Sequence, residues 1–293
     1  FVNMWHDILI LLKVSRPPLW GALPLVFCLG LAYGKRGLTS PDFQFAPLML
    51  LQILMLSFPI CLITFGLNDI HDYASDRINP RKRGIEGILL PVQYHKLVKR
   101  AVLSAAVIFC ISSFATFSLL NVFFAVTLLT LSYVYSTPPW RLKTKPPLDA
   151  VVAGIIGFMS PFSLGYSFVD DATALPLHAY LFTFCVMSLH AFSTIMDYDV
   201  DKISGDRTFA VAFGKRTAAF FPAMIFSFSV FFIHILYVKV FFVFCIFLFI
   251  IIFFIPSERM ARYAFLSIFI GAIIVVSIWI GELIIHLKRV CWL

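Results

Sequence analysis

Long apolar stretches alternate with short polar ones along the chain, and the length of each stretch predicts its element. Runs at 19–33, 47–67, 101–119, 122–135, 150–168, 175–196, 218–237, 240–255 and 264–285 carry almost no charge. A transmembrane helix needs roughly 20 such residues, so the pattern predicts nine spans. The stretches 101–135 and 218–255 exceed one bilayer thickness at ~1.5 Å per helical residue. Each therefore reads as a helical hairpin, turning near Leu120-Asn121 and near Tyr237 to Lys239. Ahead of the first span, Trp5, Ile8, Leu9 and Leu12 recur at i, i+3, i+4 and i+7, while His6, Asp7 and Lys13 fall elsewhere. That is the stripe of a helix lying in the membrane interface, closed by Arg16-Pro17-Pro18. Residues 1–17 are accordingly read as an interfacial helix and 18–293 as one membrane domain.

Composition strengthens this picture. Apolar residues make up 61% of the chain and charged residues 13%, with a mean hydropathy of +0.95, against an apolar share of roughly 45–50% in soluble domains. The net charge of +8 would point to nucleic acid in a soluble protein. Here the cations lie between apolar spans, so orientation and anionic ligands explain them and no nucleic-acid partner is expected. With nine spans, the side bearing the N-terminus collects 18 of the 23 Lys and Arg residues, including Lys13, Arg77, Arg81, Lys82, Arg83, Arg100 and Lys143. The other side has Lys35, Arg36, Lys239, Lys288 and Arg289. The crowded side is predicted to be cytoplasmic, with the N-terminus in and the C-terminus out. The six cysteines show no C-x-x-C spacing and read as packing residues. No cleavable signal is expected, because Ile8–Leu12 is too short an apolar core.

The chemistry concentrates at two span ends. Asp69, Asp72 and Asp76 are spaced i, i+3, i+7, which is one helix face, and Asn68 joins them four residues before Asp72. Three carboxylates on one face repel unless a hard cation neutralises them, and Mg²⁺ binds through one or two carboxylates, waters and phosphate oxygens. The alternative is a solvated helix end whose acids pair with the following arginines. The end of the sixth span repeats the device with Asp197 and Asp201 at i, i+4, and His190 lies two turns earlier on the same stripe. Both clusters end even-numbered spans and so face the same side. Together they would hold Mg²⁺ around a diphosphate, with Arg77, Arg141, Lys143, Lys202 and Arg207 as cationic partners. Those cations also fit the positive-inside excess alone.

Asn68-Asp69-x-x-Asp72-x-x-x-Asp76 resembles the N-D-x-x-D-x-x-x-D signature of the UbiA family of intramembrane prenyltransferases, and Asp197-x-x-x-Asp201 is similar to its D-x-x-x-D signature. Tyr135-Ser136-Thr137-Pro138-Pro139-Trp140-Arg141-Leu142-Lys143 matches a third family-like stretch. The resemblance implies an all-α bundle of nine helices around a lateral, lipid-open chamber. It further implies that a prenyl diphosphate binds through Mg²⁺ at a cytoplasmic cap. Mg²⁺ and the cations would stabilise the departing diphosphate. The allylic cation left behind would meet aromatic faces, of which Tyr73, Tyr135 and Tyr198 lie nearest the motifs. His190-Ala191-Phe192-Ser193 before the second signature looks like the carotenoid-elongating branch, the lycopene elongases. A carotenoid is therefore the expected lipophilic acceptor, with a short donor such as dimethylallyl diphosphate.

The alternatives are an aromatic quinone precursor or glyceryl phosphate lipid as acceptor, a cyclase in which the prenyl chain captures its own cation, and a cation transporter. A transporter fits poorly, because transport sites lie near the bilayer midplane in interrupted helices. The Phe-rich stretch 220–254 reads as lipid-facing bulk. Gly30-x-x-x-Gly34 and Gly154-x-x-Gly157 read as close helix contacts, and Pro161 as a kink in the fifth span. Asp149 reads as a cap of that span, and Glu282 has no assigned role.

Overall fold

The computed structural model describes residues 2–34, 37, 38, 40, 43–77, 88–170 and 174–291, and among them it contains helices and no strand. Lys35, Arg36, Arg81, Lys82 and Arg83 lie outside the described residues. The stripe of Trp5, Ile8 and Leu9 lies on α1 (Val2–Val14), where all three side chains are exposed. A turn at Pro17–Leu19 leads into α2 (Ala22–Tyr33), bent 50° from α1. Then follow α3 (Pro47–Leu56), α4 (Phe58–His71), α5 (Tyr73–Asp76), α6 (His95–Phe114), α7 (Leu119–Ser136), α8 (Leu148–Gly154) and α9 (Ser160–Tyr166). The chain continues through α10 (Leu177–Ser193), α11 (Tyr198–Ser204), α12 (Phe209–Phe213), α13 (Lys215–Val230), α14 (Leu236–Phe254) and α15 (Glu258–Cys291).

Seven described stretches are long and apolar enough to cross a bilayer, and the bent pair of α1 and α2 makes an eighth. α13 stands where a span was expected, but its 16 residues reach only about 24 Å against a hydrocarbon core of about 30 Å. Both hairpin turns fall a few residues earlier than the sequence pattern placed them. The first lies before α7, because the Ser118 hydroxyl accepts from Asn121 N–H and caps that helix. Asn121 is thereby carried inside, where it is fully buried. The second precedes Leu236, so Tyr237 and Lys239 sit in the first turn of α14. There Tyr237 Oη donates to Glu282 Oε2 at 2.7 Å, giving Glu282 a partner.

The chain forms two compact units. One comprises Phe1–Leu38, Gln44–Leu142 and Ile156–Ala174. In it α2 and α9 pack backbone to backbone. A Cβ at Gly30 would strike the Phe162 carbonyl, and one at Gly165 would strike that of Phe27. A buried polar knot ties α3, α6, α7 and α9. Gln52 Nε2 donates to Asn121 Oδ1 at 2.8 Å, and Asn121 Nδ2 returns a bond to Gln52 Oε1 and another to Ser167 Oγ. Ser113 Oγ also donates to Asn121 Oδ1. Each partner satisfies the other, which is what makes two amides tolerable in an apolar interior. Before α9 the helix takes a π-helical turn at Ile155–Met159, close to Pro161, where a kink was expected.

The other unit comprises Thr39–Phe43, Lys143–Ile155 and Leu175–Leu293. Its core corrects the reading of the Phe-rich stretch as lipid-facing bulk. Phe220, Phe228, Phe247 and Phe254 are exposed, but Phe226, Phe242 and Phe249 are buried with Phe192. Phe226 stands 4.6 Å from Phe242 and 5.3 Å from Phe249, ring centre to ring centre. Helical spacing splits the phenylalanines between an inner stripe and an outer one, which composition cannot distinguish. Across α8 and α10, a Cβ on Gly154 would meet Met187, so this glycine permits the close contact expected of it. The five cysteines with described side chains are free.

Candidate active site

In the first unit the carboxylate stripe is built across a helix break. α4 ends at His71, Asp72 takes φ −97° and ψ 5°, and α5 resumes at Tyr73. The helical bonds continue through the break, Asp72 N–H to Asn68 C=O and Asp76 N–H to Asp72 C=O, so the predicted face survives. Asp69 is fully buried, and Asp72 and Asp76 are 5% and 7% exposed. Arg16 Nη2 donates to Asp69 Oδ1 at 3.2 Å, and Arg141 Nη2 donates to Asp72 Oδ1 at 3.2 Å. Ser136 Oγ donates to Asn68 Oδ1, drawing the end of α7, with half-buried Tyr135 beside it, to the cluster.

The two arginines share a backbone feature. Arg16 has φ 54° and Arg141 φ 36°, a region that side-chain-bearing residues occupy at a cost of about 1–2 kcal/mol. Such conformations persist where the surroundings over-determine them, and they gather at functional sites. Arg16 is further fixed by stacking on Phe65, its guanidinium carbon 4.2 Å from the ring centre. The sequence pattern treated Arg16 only as the stop of the interfacial helix. A cation next to Pro17, at the mouth of a span, was the available signal. Of the other expected site residues in this unit, Arg77 is exposed, and Tyr73 packs edge-on against His95 at 5.8 Å.

In the second unit α10 tightens into a 3₁₀ turn at Thr194–Asp197, and α11 carries Asp201. Asp201 Oδ2 accepts from Thr208 Oγ1 at 2.9 Å. Its backbone carbonyl accepts from Asp206 N–H through the left-handed turn at Gly205, φ 80°. Asp197 and Asp206 add like charge around Asp201, and Lys143 adds opposite charge. Tyr198 is covered by Lys215, whose Nζ lies 4.3 Å from the ring centre and 2.9 Å from Glu258 Oε1. Lys202 is exposed, 6.0 Å from the same ring, and Arg207 is exposed as well. His190 is half-buried in α10, its carbonyl taken by Ser193 Oγ. Lys215 and Thr208 escaped the sequence reading because they lie outside both signatures.

Among the described residues no three His, Cys, Asp or Glu side chains gather tightly enough to hold a metal by themselves. The donor set nevertheless fits Mg²⁺, which takes hard oxygen ligands from one or two carboxylates and keeps the rest for water and phosphate. Chemically, buried carboxylates set against pre-positioned guanidiniums make a site for a strongly anionic ligand brought with a cation.

The chain is similar to several known proteins. A lycopene elongase/hydratase of Haloarcula japonica is 28% identical over 218 residues, 73% of this chain and 70% of that protein. One of Haloferax volcanii is 30% identical over 214 residues, 72% and 67% of the respective lengths. In fold, the chain is similar to a UbiA homolog from Archaeoglobus fulgidus bound to DMAPP and Mg²⁺, with a TM-score of 0.67 over 95% of this chain and 99% of that one at 18% identity. The profile of the UbiA prenyltransferase family matches residues 22–266, a stretch holding α2 to α14, the start of α15 and both carboxylate clusters, and the chain therefore belongs to that family and is a prenyltransferase.

Proposed function

We propose that this chain uses Mg²⁺ to ionise a short prenyl diphosphate at the cytoplasmic end of the bundle and transfers the prenyl group to a carotenoid. The observation that carries the reading is the buried stripe of Asp69, Asp72 and Asp76 set against Arg16 and Arg141, both held at positive φ. The bound ligands of the Archaeoglobus fulgidus neighbour support the donor class, and the lycopene elongase/hydratase relatives support the acceptor. The bundle is proposed to cross nine times around a lateral chamber, with α2 and α13 as its short members, the N-terminus cytoplasmic and the C-terminus external.

In this reading Asp69, Asp72, Asp76, Asp197 and Asp201 hold the metal, with Asn68 beside them. Arg16, Arg77, Arg141, Lys143, Lys202 and Arg207 receive diphosphate oxygens. Bound Mg²⁺ offsets the charge that builds on the diphosphate as the allylic C–O bond breaks and its electron pair leaves with oxygen. Tyr73, Tyr135 and Tyr198 offer π faces to the allylic cation, and His190 lies on the stripe above Asp197. The terminal double bond of the polyene then forms the new C–C bond. The cation passed to the acceptor ends by losing a proton, for which the departed diphosphate is the base.

Expression in a lycopene-producing bacterium, with mass spectrometry of the pigments, tests the proposal. Pigments heavier by one or two five-carbon units, lost in an Asp72→Asn variant, are expected. Unchanged lycopene together with prenylation of an added aromatic acid or glyceryl phosphate would overturn the acceptor. Heavier pigments that persist in Asp72→Asn would overturn the site.

A further inference from the structure

α11 is short, and Asp201 lies in its first turn, so something outside the helix must fix that carboxylate. Thr208 does so directly, its hydroxyl donating to Asp201 Oδ2. Thr208 also precedes α12, at the position where threonine ordinarily caps a helix by accepting from the N–H groups that follow. Here it makes no such cap. Those N–H groups are satisfied from two other helices. Phe209 N–H donates to Asp149 Oδ2 at 2.9 Å, and Ala210 N–H donates to Thr194 Oγ1 at 2.9 Å. The second oxygen of Asp149 accepts from Ala150 N–H at 2.8 Å.

Asp149 is fully buried, and Ala150 and Phe209 beside it belong to the core of the second unit. Burying a carboxylate is costly, and a neutral acceptor such as the Thr194 hydroxyl already serves one of the two N–H groups. The charge gives stronger hydrogen bonds to backbone N–H than a neutral group would. Its effect is to fix the start of α12 without using Thr208. We propose that Asp149 is a positioning residue of the transferase reaction. It anchors α12 so that Thr208 is free to hold Asp201 with one oxygen engaged and the other available. The inference rests on the proposed role of Asp201 as a metal ligand. Hydrogen-bond partners of metal ligands typically change metal affinity or activity by about 10–100-fold when removed.

The test uses the full chain in detergent with inorganic diphosphate. Mn²⁺, standing in for Mg²⁺, is titrated by electron paramagnetic resonance. Prenyl transfer against Mg²⁺ concentration is measured in parallel, and thermal unfolding checks folding. Thr208→Val should weaken Mn²⁺ binding and raise the half-saturating Mg²⁺ concentration by about 10–100-fold. Thr208→Ser should restore both. Asp149→Asn should shift them in the same direction, and adding Thr208→Val should produce less than the product of the two effects, because both act on one carboxylate. Asp149→Ser, which keeps an acceptor without the charge, replaces Asp149→Asn if that variant fails to fold. If Asp201→Asn abolishes transfer but the Thr208 and Asp149 variants keep wild-type metal dependence, the positioning role is wrong and the site stands. If Asp201→Asn keeps full transfer and metal binding, the site reading fails at this cluster and the positioning role fails with it.

Discussion

The two carboxylate clusters lie on similar helix breaks, yet they are held by different forces. In the first unit Asp69 and Asp72 are each engaged by an arginine brought from far along the chain, 53 and 69 residues away. In the second, Asp201 is engaged by a hydroxyl seven residues on. A buried ion pair cannot lose one member cheaply, because the other charge is left without its counter-ion at a cost of about 3–5 kcal/mol. A neutral hydrogen bond contributes only about 1 kcal/mol net. Asp69 and Asp72 are therefore coupled to the stability of their unit more strongly than Asp201 is through its hydroxyl partner. The guanidiniums of the first cluster also offer the planar forks that suit phosphate oxygens. Under the proposed function an arriving diphosphate would take over those donors, whereas Thr208 would stay where it is.

The largest effect tests what the clusters share. Asp72→Asn and Asp197→Asn each remove the charge of a proposed ligand with little change of shape, and prenyl transfer is expected to fall at least about 10³-fold in both, since metal stabilisation of the departing charge amounts to several kcal/mol. Chelation of Mg²⁺ should match this loss. Near-normal transfer in the Asp197 variant alone would reduce the site to one cluster.

The next effect tests what separates them. Asp69→Asn leaves Arg16, 16% exposed, without a counter-charge and should lower unfolding stability by about 3 kcal/mol. Asp201→Asn, which disturbs one hydrogen bond from a neutral hydroxyl, should lower it by only about 1 kcal/mol. Pairing Asp69→Leu with Arg16→Met should recover most of the lost stability, because apolar replacements of a buried pair are often neutral, while transfer stays abolished. Equal destabilisation by the two Asn variants in denaturant titrations would remove the contrast.

The smallest effect concerns the cover of Tyr198. Lys215→Met removes a cation from the ring and from Glu258, and should cost about 1 kcal/mol. Transfer should change only a few-fold, read as product formed per minute. A loss as large as that of Asp197→Asn would place Lys215 among the groups that touch diphosphate.

Much of this was legible in the sequence, because the membrane imposes one rule on every span. With no water to satisfy a backbone amide, an apolar run of sufficient length becomes a helix. The helices, the apolar stripe of α1, both signatures and the face shared by Asp69, Asp72 and Asp76 all follow from spacing alone. The turns at 115–118 and 231–235 did not, since Ser118, Asn121, Tyr237 and Lys239 are all polar, and only packing decides which of them turn outward.

The partners of the carboxylates belong to tertiary structure for the same reason. Spacing of three, four or seven residues fixes neighbours within a helix, but nothing in that periodicity links Arg16 to Asp69, or Asp149 to Phe209 across 60 residues. Sequence determined which groups bear charge and which helix face they share. Only the packing of distant segments decided which charge meets which donor, because that choice depends on burial and on the cost of leaving a polar group unmatched.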